Sequence, residues 1–343
     1  MNTGTLVSPS AHVPRGLSFR TKLVLGVCGL VLFTGAVVLW LAHRSARAST
    51  EALTGSVFRE VSGRAVTHAR AFVLRAAPVV ESLAQLADKG LAVDDPDHLA
   101  PQLLAVLKAN PGLSWVSYSD ERGTFTGANR VTEGELRLNR SHIVDGKTQL
   151  VEHDVMPDGS LKLFRSDPDS GYDPRNRPFY VKPKQVGRLV WLPPYVFYWQ
   201  WVPGITCAVP VKDAGGKLRG VLTADFDLNA LSDFVSSLSL SEHSRVFLFT
   251  SDEVLLAHPD FRGVSGTRET AKLLTLADAG DPLIDAYRAN LKPEHFRADS
   301  EQQFDRFQFQ HDDSDYFGSA TSFRVGEDLV WVVGVVAPKS DFV

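Results

Sequence analysis

Cysteine occurs only twice in the 343 residues. Cys28 sits inside an apolar run and Cys207 far from it, and neither has a second cysteine or a histidine at metal-ligand spacing. A disulfide scaffold is excluded and no metal is expected. An excess of positive charge is also missing, since 36 Lys and Arg stand against 40 Asp and Glu for a net charge of −4. A nucleic-acid partner bound by bulk charge is therefore excluded. No P-loop, Rossmann fingerprint, HExxH helix or nucleophile elbow occurs, and the ten histidines show no paired spacing on a helix. Neither a catalytic residue nor a cofactor is expected from this chain. With 44% hydrophobic and 22% charged residues, it is neither wholly disordered nor collagen-like.

What is present begins at the N-terminus. Residues 23–42 form an apolar run of 20 residues without a charge, which as a helix would span about 30 Å, the thickness of a bilayer core. Arg15, Arg20 and Lys22 precede it with no acidic residue before them, and Trp40 lies at its far end like an interfacial anchor. The spacing predicts a transmembrane helix with a cytoplasmic tail at 1–22 and the bulk of the chain outside. The competing reading is a signal peptide cleaved near Ala46-Arg47-Ala48, which exports the same remainder.

After the membrane, Leu53, Val57, Val61, Ala65, Ala69, Phe72, Ala76, Val80 and Leu83 recur every three or four residues. They predict one long helix of about 40 residues, kinked but not ended at Pro78. It reads as a stalk able to pair with a second copy as a homodimer, or as a spine packed on its own domain. From about residue 112 the period becomes strand-like: residues 114–127 are two β-rich runs around Asp-Glu-Arg-Gly, and residues 135–164 and 190–228 continue a mainly antiparallel sheet. The Pro- and Asp-rich stretch 167–183 reads as a long loop over that sheet, and residues 229–238 as a short helix. Residues 245–258 then repeat the pattern of 115–127, and 329–342 that of 218–228. Two copies of one α+β unit are expected.

Tyr172-Asp-Pro-Arg-Asn-Arg177-Pro-Phe-Tyr180, followed by Pro194-Tyr195-Val-Phe197, Pro203-Gly-Ile-Thr206, Pro210-Val211, Gly220-Val-Leu222 and Ala224-Asp225, resembles the double Cache domain in order and spacing. Ala257-His258-Pro259 and the closing segment Trp331 to Phe342 fit the same resemblance, which covers about residues 45–342. It implies an extracytoplasmic ligand-binding domain of a bacterial receptor, with a long helix, two tandem PAS-like modules and ligand in the membrane-distal one. It also implies a continuation into a second transmembrane helix and a cytoplasmic effector such as a nucleotide cyclase, histidine kinase or chemoreceptor domain. A chain stopping at Val343 is then the input part of a longer receptor or a free-standing sensor.

A small zwitterion needs a fixed cation for its carboxylate, an anion for its ammonium, and aromatic walls. Arg177 is the candidate carboxylate clamp, Asp225 the ammonium partner, and Tyr172, Tyr180 and Tyr195 the wall. These positions match those of the amino-acid-binding subset of double Cache domains, except that Phe179 stands where that subset carries Trp. The ligand class is therefore left at amino acid, amine or carboxylate. Two readings stay open: Arg177 and Asp225 flank a cavity, or they pair directly in a pocket-less interaction domain. Tyr180 and Tyr195 can equally be core aromatics, Arg175 is read as structural, and Tyr198, Trp199 and Trp201 are a cluster that forms core or pocket lid. His258 with Asp252 reads as ordinary hairpin chemistry. The expected organisation is a tail at 1–22, a transmembrane helix at 23–42, stalk and lead-in at 44–110, a distal ligand-binding module at 111–238 and a proximal module at 239–343.

Overall fold

The computed structural model describes residues 19–132, 134–198, 202–238, 240–260, 264–265, 272–298, 302–327 and 329–342. Trp199 and Trp201 of the expected aromatic cluster lie outside them, as does most of the N-terminal tail. Residues 1–54 and 55–343 separate into two compact units. Helix α1 runs Phe19–Val73, and its stretch Val27–Ser45 has the length and hydropathy to cross a membrane, with none of it buried against protein. That span overlaps the expected 23–42.

Within the second unit, α1 buries Phe58, Val61, Ala65, Val66, Ala69 and Val73, whereas Leu53, expected on the stripe, belongs to the first unit and is exposed. The helix does not run unbroken through Pro78: α1 ends at Val73 and α2 (Ala76–Leu86) starts after an interruption of two residues. Proline has no N–H to offer the carbonyl of residue 74, and its ring clashes with that carbonyl, so the hydrogen-bond ladder stops there. Helix α2 then continues the apolar face through Ala76, Val80 and Leu83. Helix α3 (Pro96–Ala109) is capped by Asp95, which accepts from the amides of Asp97 and His98, and it buries Leu99, Leu103 and Leu107.

The first sheet has nine strands among the described residues, all antiparallel. They are β1 (Trp115–Asp120), β2 (Phe125–Thr132), β3 (Glu135–Val144), β4 (Lys147–Val155), β5 (Leu161–Asp167), β6 (Val190–Trp191), β7 (Tyr195–Val196), β8 (Pro203–Lys212) and β9 (Leu218–Asp227). Their order is β5-β4-β3-β2-β1-β9-β8-β6, with β7 on β8. The β1–β2 turn is the expected Asp-Glu-Arg-Gly: Asp120 accepts from the amides of Arg122 and Thr124, and Gly123 supplies the positive φ. Strand periodicity divides β9 between two buried faces. Leu222, Ala224 and Phe226 join the core shared with α1–α3, while Val221, Thr223 and Asp225 face the other side.

That other side is covered by the 167–183 region, which is not wholly a loop. A single 3-10 turn at Pro174–Asn176 leads into helix α4 (Pro178–Val186), with proline at its first position and Gly187 in the left-handed conformation at its end. Proline at the first helical position loses no intrahelical bond, so a Pro-rich stretch can start a helix.

Helix α5 (Asn229–Ser236) leads to the second sheet. It is built from β10 (Arg245–Thr250), β11 (Leu255–Ala257), β14 (Gln302–His311), β15 (Ser314–Val325) and β16 (Leu329–Pro338), in the order β11-β10-β16-β15-β14. Between its halves lie the small pair β12 (Val264–Ser265) and β13 (Lys272–Leu273) and helix α6 (Pro282–Ala289). In both sheets the first strand of the opening hairpin pairs with the last strand of its unit, β1 with β9 and β10 with β16. This shared order is the structural form of the repeat, and the fold is α+β with two antiparallel sheets.

Candidate functional site

The register across β1, β9 and β8 aligns Trp115, Asp225 and Thr206 in one row. The adjacent row aligns Ser117 with Thr223. Above these rows lies a cavity of about 440 Å³, a figure that includes its open mouth. Its floor is Trp115, Ser117, Thr223 and Asp225; Phe125, Tyr172, Tyr195 and Phe197 wall it, and Arg177, Phe179 and Tyr198 close it from the α4 side.

Asp225 is 7% exposed. Thr206 donates its hydroxyl to one carboxylate oxygen and Thr223 donates to the other at 3.2 Å. Among the described residues no cation pairs with it. Burial dominates and pushes its pKa up to about 7, against the two hydroxyls, which lower it. Arg177 lies at the junction of the 3-10 turn and α4, where its backbone is still extended. Its guanidinium sits over the rings of Tyr198 (5.5 Å) and Tyr195 (5.9 Å), and Nη2 donates to the Val196 carbonyl at 3.4 Å. Arg177 and Asp225 thus line the same cavity and form no ion pair with each other. Burial raises the Tyr172 and Tyr195 hydroxyls, keeping both protonated; the Asp225 charge adds to this and Arg177 opposes it.

Of the other expected site residues, Tyr172, Tyr195 and Phe179 line the cavity. Tyr180 does not: its hydroxyl donates to Glu121 at 3.2 Å, beside Lys184. Consecutive helical side chains point about 100° apart, so when Phe179 faces the cavity Tyr180 faces elsewhere. Arg175 pairs with Asp173 two residues earlier. Trp115, Ser117, Thr206 and Thr223 were not anticipated. Thr223 follows from Asp225 by the two-residue strand period and Thr206 from the β8–β9 pairing 19 residues away, but Trp115 and Ser117 depend on pairing between segments about 110 residues apart.

The second sheet is packed differently. Phe247 and Phe307 press on Gly334 and Gly318, where a β-carbon would lie 2.4 and 2.6 Å from their rings. His258 is buried, and burial pulls its pKa down to about 4. Among the described residues no cluster of three metal-ligating side chains occurs. Cys28 and Cys207 are both free thiols.

Comparison with known proteins follows the same lines. The chain is 33% identical over 89 residues to the methyl-accepting chemotaxis protein PscA of Pseudomonas syringae, covering 26% of this chain and 14% of that protein. It is 32% identical over 137 residues to the methyl-accepting chemotaxis protein PctB of Pseudomonas aeruginosa, covering 36% and 21%. The matched stretches therefore span about a fifth or less of these relatives. Among solved structures, the ligand-binding domain of the P. aeruginosa amino acid chemoreceptor PctC, in complex with GABA, superposes with a TM-score of 0.53 at 24% identity, covering 82% of this chain and 99% of that one. The ligand-binding domain of Pseudomonas fluorescens CtaA, in complex with L-serine, gives 0.50 at 19% identity, with 85% and 97% covered. At these identities the likeness is one of fold. The Cache domain profile (dCache_1) matches residues 105–343, and with most of its length so matched the chain belongs to the Cache domain family.

Proposed function

We propose that the chain is a membrane-anchored, extracytoplasmic sensor whose first sheet binds a small amphoteric ligand, carboxylate toward Arg177 and cationic nitrogen toward Asp225. The observation carrying this reading is a buried carboxylate, held by two hydroxyls and by no cation among the described residues, in one cavity with a guanidinium. A ligand cation supplies the countercharge that the protein does not, which compensates the burial of Asp225. Arg177 and Asp225 lining one cavity without pairing supports this reading over a pocket-less interaction domain.

The membrane anchor is the Val27–Ser45 stretch of α1, and the output is a cytoplasmic signalling domain of the chemoreceptor kind, a reading supported by the methyl-accepting chemotaxis relatives. Binding shifts such a receptor only by the difference in affinity between its two states. Titration calorimetry of the chain in detergent micelles against amino acids, amines and carboxylates, with Arg177→Ala and Asp225→Asn as controls, tests the reading. An amphoteric ligand weakened at least tenfold by either substitution is expected; a ligand indifferent to both contradicts it.

A further inference from the structure

Strand β1 carries Trp115 and Ser117 of the cavity floor and ends at Asp120. The turn beyond it is tightly held, because Asp120 accepts from the amides of Arg122 and Thr124 and from the Arg122 side chain at 2.8 Å. Glu121, next in that turn, reaches α4: one carboxylate oxygen accepts from Tyr180 at 3.2 Å and from Lys184 at 2.5 Å. Tyr180 and Lys184 stand four residues apart and share a helix face, so this pair of bonds fixes the rotation of α4 about its axis. The Glu121 carbonyl also accepts from Arg175 Nη1 at 3.4 Å, and Arg175 is itself held by both carboxylate oxygens of Asp173, at 3.0 and 2.8 Å. Gly123 leaves room for that approach, since a β-carbon there would lie 3.2 Å from Arg175 Nε.

The fastened positions are thus 175, 180 and 184, and the two residues that face the cavity, Arg177 and Phe179, lie between them. Among the described residues no carboxylate pairs with Arg177. Its guanidinium rests over two tyrosine rings and on one hydrogen bond of 3.4 Å. Its place over the cavity is therefore set by the backbone that carries it, and that backbone is tied on both sides to one residue of the floor hairpin. The Glu121–Lys184 pair is half-exposed and by itself contributes little to stability. What matters is where the three bonds fall.

We propose that Glu121 is a positioning residue for ligand binding: with Tyr180 it holds the cover so that Arg177 meets the ligand carboxylate, and neither side chain touches the ligand. This rests on the amphoteric reading above and adds what places the clamp.

Hydrogen exchange of the chain in detergent micelles tests the fastening without a ligand. In Glu121→Ala the amides of residues 180–187 are expected to exchange about fivefold faster than in the wild-type protein, while those of 115–119 keep their rate. Tyr180→Phe, which removes one donor, is expected to act in the same direction and serves as the second variant should the first fail to fold. Unchanged exchange in α4 overturns the proposal, as does an equal acceleration in β1, which would report general loosening. Calorimetry with the proteinogenic amino acids as probes tests the role in binding. For the tightest binder among them, Glu121→Ala is expected to weaken Kd about fivefold and to add nothing in an Arg177→Ala background, because its effect passes through Arg177. An unchanged Kd, or the same loss in both backgrounds, overturns the positioning role. Binding by none of the probes overturns the amphoteric reading and the positioning role with it, while exchange still reports on the fastening, so the two failures are read separately.

Discussion

Tyr195 and Thr206 are joined by a hydrogen bond of 2.8 Å whose direction is set by a third residue: Thr206 gives its proton to Asp225, so Tyr195 must be the donor. The charge state of one carboxylate therefore orders hydroxyls on β7, β8, β9 and β1 together. Several consequences of this coupling can be measured.

Ligand binding should depend on pH. Pairing with a cation requires ionised Asp225, whose pKa in the free protein is pushed up to about 7. Below pH 7 a proton must leave as ligand binds, so Kd should weaken by about tenfold per pH unit. Calorimetry at pH 6 in buffers of different ionisation enthalpy should show proton release of nearly one per site. Asp225→Asn should remove the pH dependence along with most of the affinity.

Stability of the ligand-free protein should move in the opposite sense. Asp225 has a higher pKa folded than unfolded, so between about pH 4 and pH 7 the folded state holds the extra proton. The contribution is full below the unfolded pKa and is lost as pH rises through the folded one. Asp225→Asn keeps the shape without the charge, so it should unfold several degrees above the wild-type protein at pH 8. The gap should close toward pH 4 in a thermal-unfolding series.

Phe197 lies directly over Gly204, where a β-carbon would fall 2.0 Å from the ring. Gly204→Ala should therefore push this cavity wall inward or off its rotamer. A loss of about 1–3 kcal/mol in chemical denaturation is expected, with a weakened Kd for any ligand in the cavity. An unchanged Kd would place the ligand elsewhere.

Phe58 of α1 is fully buried between Phe317 and Phe342, with ring centroids 6.2 and 6.1 Å away. This part of the expected stalk thus spends its apolar face on its own domain. Phe58→Ala should cost about 3–5 kcal/mol, independent of protein concentration. A concentration-dependent loss would instead assign that face to a dimer.

The two sheets were legible because they rest on local signals. Strand period, the turn at 120–123 and the repeated hairpin at 245–258 are each written within a dozen residues. Helix α3 was missed although Asp95-Pro96 with Leu99, Leu103 and Leu107 carries a cap and a helical period. Helix α4 was masked by Pro178 and Pro183, which read as loop until the first is placed at the helix start. At the site, Arg177 and Asp225 stood out because a zwitterion needs one fixed charge of each sign and because their places in the motif match the amino-acid-binding double Cache domains that the sequence resembles. Trp115 and Ser117 did not, since nothing local to residues 114–117 says which strand will lie beside them. Tyr180 shows the limit in the other direction: it is adjacent to a cavity residue in sequence and turned toward Glu121 by the helix that carries both.

In the proposed complex one ligand bridges Arg177 and Asp225. The most direct measurement is a cycle pairing loss of the ligand carboxylate, by conversion to its amide, with Arg177→Ala. Kd would be measured for both ligands on both proteins. Each change alone is expected to weaken binding at least tenfold and the second to add little once the first is made, a coupling of about 1–3 kcal/mol. Strictly additive losses would contradict it, because Arg177 would then not be in contact with the carboxylate.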